Sequence, residues 1–425
     1  MLSKNTATYL FEQLRRPIAK NTAWMMLGYG IRIIFQATAF VLLARALGPE
    51  NFGAFAATFA AANLIAPFVE LGGYTLVIRD SVNGIAIRQA YGNALALSIF
   101  ALPLGLVLMA LVKLLLLPSV PWLSALFIAG GVFLGGNTTR IVQGLNVSQN
   151  FLWRNAILEA INGVIQLVWV IFFVILDGQL ITWSLLFLIH YIFMAVVSLA
   201  WNIRTYGWPQ WSFADVCSRV KQGMYFALGG ASQLGSSEID KALLARLNTL
   251  EATGIYSAAQ RIIVVGFFPL MAFLGANYTR FFQIGKAGIK SARAHAFRIV
   301  PFVLAYTVVS GAAAWVTAPL IVELLGAKFA ETGQAIRWLA LLLVLQGLQY
   351  PFADALTGSG LQSIRSGIQV AALILMVIIN AILIPQYGWL GAVWTSLGVN
   401  GLVLVAMIGA VMLPRTEQSE MENTP

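Results

Sequence analysis

The sequence predicts an all-α polytopic membrane protein, with twelve transmembrane helices in two parallel six-helix repeats around a central cavity. Composition, the spacing of apolar runs and an internal repeat lead to this prediction. Of the 425 residues, 59% are hydrophobic and 10% are charged, against roughly 45–50% and 25% in soluble domains. The mean hydropathy is +0.82, and a chain of this length cannot bury so many hydrophobic residues in one soluble core. The lipid bilayer is therefore the predicted environment.

The apolar runs divide the chain into two bundles. About 20 residues are needed to cross the hydrocarbon core. We predict a cytoplasmic tail at 1–20, a first six-helix bundle at 21–203, an amphipathic cytoplasmic linker at 204–222, a second bundle at 223–413 and a cytoplasmic tail at 414–425. The predicted spans 1 to 12 are residues 22–43, 53–78, 91–117, 122–145, 153–176, 180–203, 223–247, 254–281, 297–325, 333–356, 366–384 and 389–413.

The internal repeat lies at half the chain length. Residues 42–53 begin Leu-Leu-Ala-Arg, and so do residues 243–254, an offset of 201 from Leu42 to Leu243. Glu50 and Glu251 recur at the same offset, each followed by a glycine three residues later. Such a period indicates a duplicated fold rather than a solenoid. In membrane proteins, repeats of this kind face each other across a central site.

The basic residues set the predicted orientation. Eighteen Lys and Arg residues fall in one set of predicted loops and tails, whereas the other set holds Arg45, Lys113, Arg246 and Lys328. Because cytoplasmic loops collect positive charge, both termini are predicted to lie in the cytoplasm. The protein itself is predicted to lie in the cell inner membrane. The formal charge of +10 follows from the same bias, so no nucleic acid partner is expected. An even number of spans per half makes the repeats parallel.

Few residues suit metal, redox or nucleotide chemistry. Cys217 is the single cysteine, and His190 and His295 are far apart, so neither a disulfide nor a metal site is expected. The sequence has no P-loop motif, which predicts that this chain does not hydrolyse ATP. We therefore expect that the protein binds no cofactor and is not an enzyme.

Span 1 carries a polar face. Arg32 lies about ten residues into the span, with Tyr29 at i−3 and Gln36 at i+4 on the same side of the helix. A charged residue at a helix centre costs about 2.5–3.5 kcal/mol on insertion scales, so it is expected to face a cavity or a partner. The alternative for Arg32 is an extended side chain that reaches the cytoplasmic interface.

The second half carries the equivalent stripe. At the offset of 201, Gln233 corresponds to Arg32, and Asp240 and Lys241 continue the same face of span 7. Arg261 follows, seven residues into span 8. We predict that these side chains and the span 1 face line one lumen. The alternatives are that Asp240 pairs with Lys241 or Arg261, and that Arg261 reaches the outer interface.

Acidic residues inside the spans are candidates for ion coupling. Glu70 has no base within one helical turn in sequence, its nearest being Arg79, and a buried carboxylate of this kind can load and unload a proton. Glu70 is therefore the first candidate and Asp240 the second. Glu159 is expected to pair with Arg140 or Arg154 rather than to bind substrate.

Two segments resemble a known family. Lys20-Asn21 ahead of Trp24, with Ala-Arg-Ala-Leu-Gly-Pro-Glu at 44–50 and Phe-Gly at 52–53, resembles the opening of the Wzx-type polysaccharide flippases. These flippases belong to the multidrug/oligosaccharidyl-lipid/polysaccharide exporter superfamily. Asp-Lys at 240–241 and Gly-Ile-Tyr-Ser-Ala-Ala at 254–259 resemble that family's second half. The second copy has Asn-Thr at 248–249 where the first has Gly-Pro, so its outer turn is expected to differ.

The resemblance implies a function. Such a protein flips a polyprenyl-diphosphate-linked oligosaccharide, a repeat unit of O-antigen or another surface polysaccharide, to the outer leaflet. Polysaccharide polymerase and chain-length proteins are then candidate partners. A diphosphate leaving water needs Arg or Lys, and sugars need amides and aromatic rings. Arg32, Lys241 and Arg261 suit the diphosphate. The residues expected to bind the sugars are Gln36, Gln233 and Tyr29.

Two alternatives stay open. A multidrug or small-molecule exporter of the same superfamily is the first, although carboxylates would more often dominate its lumen. A membrane-embedded glycan polymerase or sugar transferase is the second. Polymerases need a large outer loop and sugar transferases need clustered Asp residues in cytoplasmic loops, whereas the predicted outer loops are short and the cytoplasmic Asp80 and Asp215 are scattered.

The repeat and the charge bias make a topological prediction. A reporter fused after Arg415 should be active in the cytoplasm, and reporters inserted near Glu50 and Glu251 should both face outside. If the two insertions report opposite sides of the membrane, the repeats are not parallel.

Overall fold

The computed structural model describes residues 17–413, with the side chains of residues 17–29, 232, 233, 236, 237, 272, 276 and 279 left out. The predicted tails thus lie largely outside the described residues. Within that range the chain is α-helical and has no strand. The helices are α1 (Pro17–Glu70), α2 (Gly73–Val82), α3 (Ile87–Leu116), α4 (Trp122–Gly130), α5 (Asn137–Ser148), α6 (Leu152–Ile175), α7 (Leu180–Tyr206), α8 (Phe213–Leu247), α9 (Leu250–Gly285), α10 (Ile289–Leu325), α11 (Ala330–Gly358), α12 (Gln362–Tyr387) and α13 (Trp389–Met412).

The helices agree with the predicted class, a polytopic all-α membrane protein. Ten stretches of the described chain are long and apolar enough to cross a membrane. One of them, Gly30–Val82, contains most of span 1 and all of span 2, and α8, which corresponds to span 7, is not among the ten. The number of twelve spans therefore stays a prediction. The chain forms two compact units, one ending at Arg246 and the other beginning at Leu247, and the predicted domain boundaries also stay a prediction.

The two copies of the repeated turn are built differently. In the first copy α1 breaks at Gly48, whose φ of 70° and ψ of 170° suit glycine because it has no Cβ. Pro49 restarts the helix, a position where its missing N–H costs little. In the second copy Thr249 caps α9, and its hydroxyl accepts a hydrogen bond from Ala252 N at 3.0 Å. The expected difference between the turns is confirmed.

Span 4 contains a wider helical turn. Gly131–Gly136 forms a π-helix between α4 and α5, a feature that often marks functional sites. Its glycines pack against α7: a Cβ at Gly135 would lie 2.4 Å from the backbone of Tyr191. Only glycine permits this close approach of the π-helix to α7.

The linker between α7 and α8 follows α3. Gln210 N donates to Arg88 O at 2.9 Å, and Ser212 N donates to Asn93 Oδ1 at 3.0 Å. Gly92 allows this contact, because a Cβ there would lie 2.0 Å from Gln210 O. Three aromatic side chains of the predicted linker 204–222 are exposed, namely Trp208, Trp211 and Phe213.

A buried charge network fastens the beginning of α8 to α2 and α3. Asp80 on α2 is 2% exposed and accepts hydrogen bonds from Arg219 Nε on α8 and from Arg79 Nη2, each at 2.9 Å. Arg219 Nη1 also donates to Asp215 O at 3.0 Å. Asp215 in turn accepts a hydrogen bond from Gln89 Nε2 on α3 at 2.7 Å.

The second unit uses its polar residues for helix contacts. Gln349 Nε2 on α11 donates to Asn400 O on α13 at 2.8 Å. Arg365 Nη1 on α12 contacts Asp354 Oδ1 on α11 at 3.4 Å. Amides and charges on span 10, which suit sugar hydroxyls equally well, thus join helices in this unit.

The network at Asp80 makes a stability prediction. Asp80→Asn should lower the free energy of unfolding by about 3–5 kcal/mol, because the largely buried Arg219 would lose the nearer of its two carboxylates, Asp80 at 2.9 Å, and keep only Asp215 at 4.0 Å. Unfolding of the purified protein in detergent measures this. The control is Asp177→Asn in the exposed turn after α6. Equal and small effects of the two changes would contradict the structural role of Asp80.

Candidate functional site

The contact between α1 and α6 carries two polar pairs one helical turn apart. Arg32 Nη1 donates to Glu159 Oε2 at 2.5 Å, and Gln36 Nε2 donates to Gln166 Oε1 at 3.0 Å. Gly163 lies between the two acceptors on α6, where a Cβ would come within 2.9 Å of Arg32 Cα. The absence of a side chain at this position therefore lets the two backbones come close enough for both pairs to form.

Glu159 contacts a neutral donor as well as a cation. Its Oε1 accepts a hydrogen bond from Gln143 Nε2 on α5 at 2.9 Å, while Oε2 faces Arg32. Beside it, His190 Nε2 on α7 and Asn162 Oδ1 on α6 are hydrogen-bonded at 2.8 Å. Burying a carboxylate is costly unless it is paired and hydrogen-bonded. Glu159, whose side chain is 8% exposed, meets both conditions.

A second ion pair lies at the end of α1. Glu70 Oε1 accepts a hydrogen bond from Tyr74 N at 2.9 Å, and Arg140 Nε on α5 lies 3.3 Å from Glu70 Oε2. The Glu70 side chain is 7% exposed and that of Arg140 is 58% exposed. The carboxylate is therefore buried, while more than half of the arginine side chain stays accessible.

Both ion pairs line one cavity of about 300 Å³ within the first unit. Its remaining polar walls are mainly uncharged side chains: Asn63, Asn137, Thr139, Gln143, Asn162 and His190. A second cavity of about 370 Å³ shares Pro67, Glu70, Arg140 and Leu234 with the first. The Glu70–Arg140 pair thus lies where the two cavities meet.

The predicted span 7 residues are placed differently. Lys241 Nζ donates to Glu238 Oε2 at 2.8 Å, and Lys241 contacts Asp240 through its backbone N–H, which donates to Asp240 Oδ1 at 2.8 Å. An i, i+3 pair on one helical face explains the contact with Glu238. Lys241 is not among the residues that line the two cavities.

Three further residues predicted to bind substrate are Tyr29, Gln233 and Arg261. The side chains of Tyr29 and Gln233 lie outside the described part of the chain. Arg261 is exposed on α9, in the second unit. Of the residues predicted to bind substrate, Arg32 lines the cavity. Gln36, on the same helix α1, packs against α6 beside it. The roles of the others stay predictions.

The structure contradicts the expected partners of Glu159 and places a cation beside Glu70, whose role in ion coupling stays a prediction. The choice of Glu70 as proton carrier depends on its having no base nearby in sequence, but in the structure Arg140 supplies one. Glu159 pairs with Arg32, not with Arg140 or Arg154. The reason is the same for both, since helix packing brings together residues far apart in the chain.

Sequence reasoning missed several residues that line the cavity. Arg140 falls inside span 4, but the prediction of orientation counts it with the loop charges. Its position within the span is the signal that could have identified it as a cavity residue. His190, a histidine inside an apolar span, is a similar signal. Gln143 and Asn137 carry no comparable signal in the sequence.

Residues 18–284 match the family model described as polysaccharide biosynthesis protein. The chain belongs to the polysaccharide biosynthesis protein family. The match begins in α1 and ends in α9, so it includes every residue that lines the two cavities. No curated protein sequence matches the chain.

Solved transporter structures share the fold of this family member. An inward-facing multidrug resistance MATE family transporter of the MOP superfamily has 13% identity and a TM-score of 0.68, with 94% of this chain and 100% of that chain covered. The lipid II flippase MurJ in an inward closed conformation has 12% identity and a TM-score of 0.71, covering 92% and 88%. A MOP superfamily transporter from Pyrococcus furiosus has 16% identity and a TM-score of 0.59, covering 96% of each chain.

The Arg32–Glu159 pair makes a testable prediction. A double-mutant cycle with Arg32→Ala and Glu159→Ala should give a coupling energy of about 0.5–3 kcal/mol in unfolding measurements, because the two groups are in direct contact. The control cycle joins Arg32→Ala with Glu50→Ala, an exposed residue beyond the break of α1 at Gly48, where no direct coupling is expected. Additive effects in the Arg32–Glu159 cycle would contradict the described contact.

Proposed function

We propose that this member of the polysaccharide biosynthesis protein family is a flippase. It moves a polyprenyl-diphosphate-linked oligosaccharide, a repeat unit of O-antigen or another surface polysaccharide, from the cytoplasmic to the outer leaflet of the inner membrane. Transport is by alternating access, with both termini in the cytoplasm. The observation that carries the proposal is that Arg32 and Arg140 line one cavity within membrane-spanning helices. Guanidinium groups bind phosphate oxygens in a bidentate manner.

The ion pairs suggest how a diphosphate enters. In the structure each guanidinium faces a carboxylate, Arg32 with Glu159 and Arg140 with Glu70. Each carboxylate gives one oxygen to its arginine and the other to a neutral donor, which is Gln143 for Glu159 and the backbone of Tyr74 for Glu70. When a diphosphate replaces the carboxylates at both arginines, each carboxylate keeps one hydrogen bond and loses its cation.

The uncharged walls suit the sugar next to the diphosphate. Amides donate and accept hydrogen bonds at once, which matches sugar hydroxyls, and Asn63, Asn137 and Asn162 supply them. A volume of about 300 Å³ is at the lower end for ligand pockets, so we assign this cavity to the diphosphate and the first sugar. Gln36, Tyr29 and Gln233 remain our candidates for further sugars, and Lys241 and Arg261 for cations of the second half.

The same replacement of a carboxylate by the diphosphate offers a way to couple transport to an ion. When substrate binds Arg140, Glu70 loses its cation and can take up a proton. We propose Glu70 as the coupling residue and Asp240 as the second candidate.

Both carboxylates that line the cavity are paired with arginine, which favours an anionic substrate over the organic cations of a multidrug exporter. Transport also fits the residues better than glycan polymerisation or sugar transfer. A polysaccharide polymerase and chain-length proteins would then act on the exported product.

The test is export of the glycan in cells. Arg140→Ala should weaken transport by about 10- to 100-fold, since a charge-assisted hydrogen bond contributes about 1.5–3 kcal/mol, and Arg140→Lys should restore part of it. Surface polysaccharide measures transport, and the amount of protein in the membrane is measured alongside. The matched control is Arg298→Ala, which removes an exposed arginine on α10. Full export by the Arg32→Ala, Arg140→Ala double variant would contradict the proposal.

A further inference from the structure

One arginine outside the cavities is surrounded by aromatic rings. Arg154, in the first turn of α6, has its guanidinium carbon 4.5 Å from the ring centre of Phe151 and 5.5 Å from those of Trp153 and Trp201. Its Nη1 donates to Thr205 Oγ1 near the end of α7 at 3.1 Å. The rings and the hydroxyl hold the guanidinium in a fixed position between α6 and α7.

Within the described residues, no carboxylate compensates this positive charge. Arg154 forms no salt bridge within the part of the chain that the structure describes. Its Nε is buried and has no hydrogen-bond partner among those residues. The first turn of α6 contains no acidic residue, and Phe151 at its N-cap offers no side-chain hydrogen bond.

The helix end adds to the same field. The first N–H groups of a helix have no partner in the helix and carry about half a positive charge, which attracts anions. In α6 this end and the Arg154 guanidinium lie together, and the 24-residue helix is long enough for the full effect. The arrangement therefore favours an anion with several oxygens, such as a phosphate.

The surroundings identify the source of the phosphate. The positive bias of the loops predicts that this end of α6 lies at the cytoplasmic interface, where tryptophan rings typically lie at the depth of lipid headgroups. Trp153 is 36% exposed, and Arg204, one residue before Thr205, is exposed as well. Anionic phospholipids make the cytoplasmic leaflet negative, and basic pockets between helices bind their headgroups.

We propose that Arg154, with Phe151, Trp153, Trp201 and Thr205 around it, binds the phosphate of an anionic phospholipid headgroup at the N-terminus of α6. None of these residues lines either of the two cavities described above. The lipid would hold the cytoplasmic ends of α6 and α7 together. The site is independent of what the transport cavity binds.

The experiment is native mass spectrometry of the full chain in detergent, titrated with dioleoylphosphatidylglycerol. Arg154→Gln removes the charge and keeps an amide donor, on a shorter side chain. We expect this variant to bind the lipid at least tenfold more weakly than the unchanged chain, in line with the loss of a charge-assisted contact. The matched control is Lys221→Gln, which removes one exposed charge from α8 and should leave the affinity within about twofold.

Three results would overturn the proposal. Equal weakening by Arg154→Gln and Lys221→Gln would mean that the lipid responds to diffuse surface charge. Equal affinity for dioleoylphosphatidylcholine would mean that the anionic headgroup is not recognised. If inorganic phosphate at equal concentration displaces the lipid, the site binds free phosphate rather than lipid. Arg154→Lys is a second variant: it keeps the charge and should retain more affinity than Arg154→Gln.

Discussion

The pairing of Arg32 with Glu159 is the interaction on which the architecture of the first unit depends. It joins the first membrane helix to α6 at the point where Gly163 brings the two backbones together. A charge in this environment is costly unless it has a partner, so each member of the pair accounts for the presence of the other. Arg140 and Glu70 repeat the arrangement where α1 ends, so that two neutral pairs line one cavity.

Small residues make this charge arrangement possible. The glycines of the π-helix Gly131–Gly136 let α7 approach closely, and Arg140 and Gln143 on the following helix, α5, line the cavity. The buried Asp80 network holds α8 against α2 and α3, next to the second cavity. The glycines thus let the helix backbones approach closely, and the charged and polar contacts of the site depend on that close packing.

The sequence predicts the class of fold well because hydropathy and length alone distinguish a membrane helix. Arg32 was identified for a physical reason, since an arginine within an apolar run must have a partner or a cavity. Its partner could not be identified, because Glu159 is 127 residues away and only the packing of α1 on α6 brings them together. Arg140 illustrates the opposite error. Its nearness to a helix end favoured a loop position, and the π-helix that precedes α5 leaves only a run of glycines in the sequence.

The central claim is that the cavity of the first unit holds the diphosphate end of a lipid-linked oligosaccharide. Adjacent threonines on α5 allow a direct test, because Thr139 lines the cavity and Thr138 is not among its lining residues. A photo-crosslinking amino acid is placed at each position in turn, and the protein is irradiated in membranes that contain radiolabelled polyprenyl-diphosphate-linked oligosaccharide. The account predicts a labelled protein from position 139, lost on adding unlabelled substrate, and little labelling from position 138. Equal labelling from both positions, or none from position 139, would contradict it.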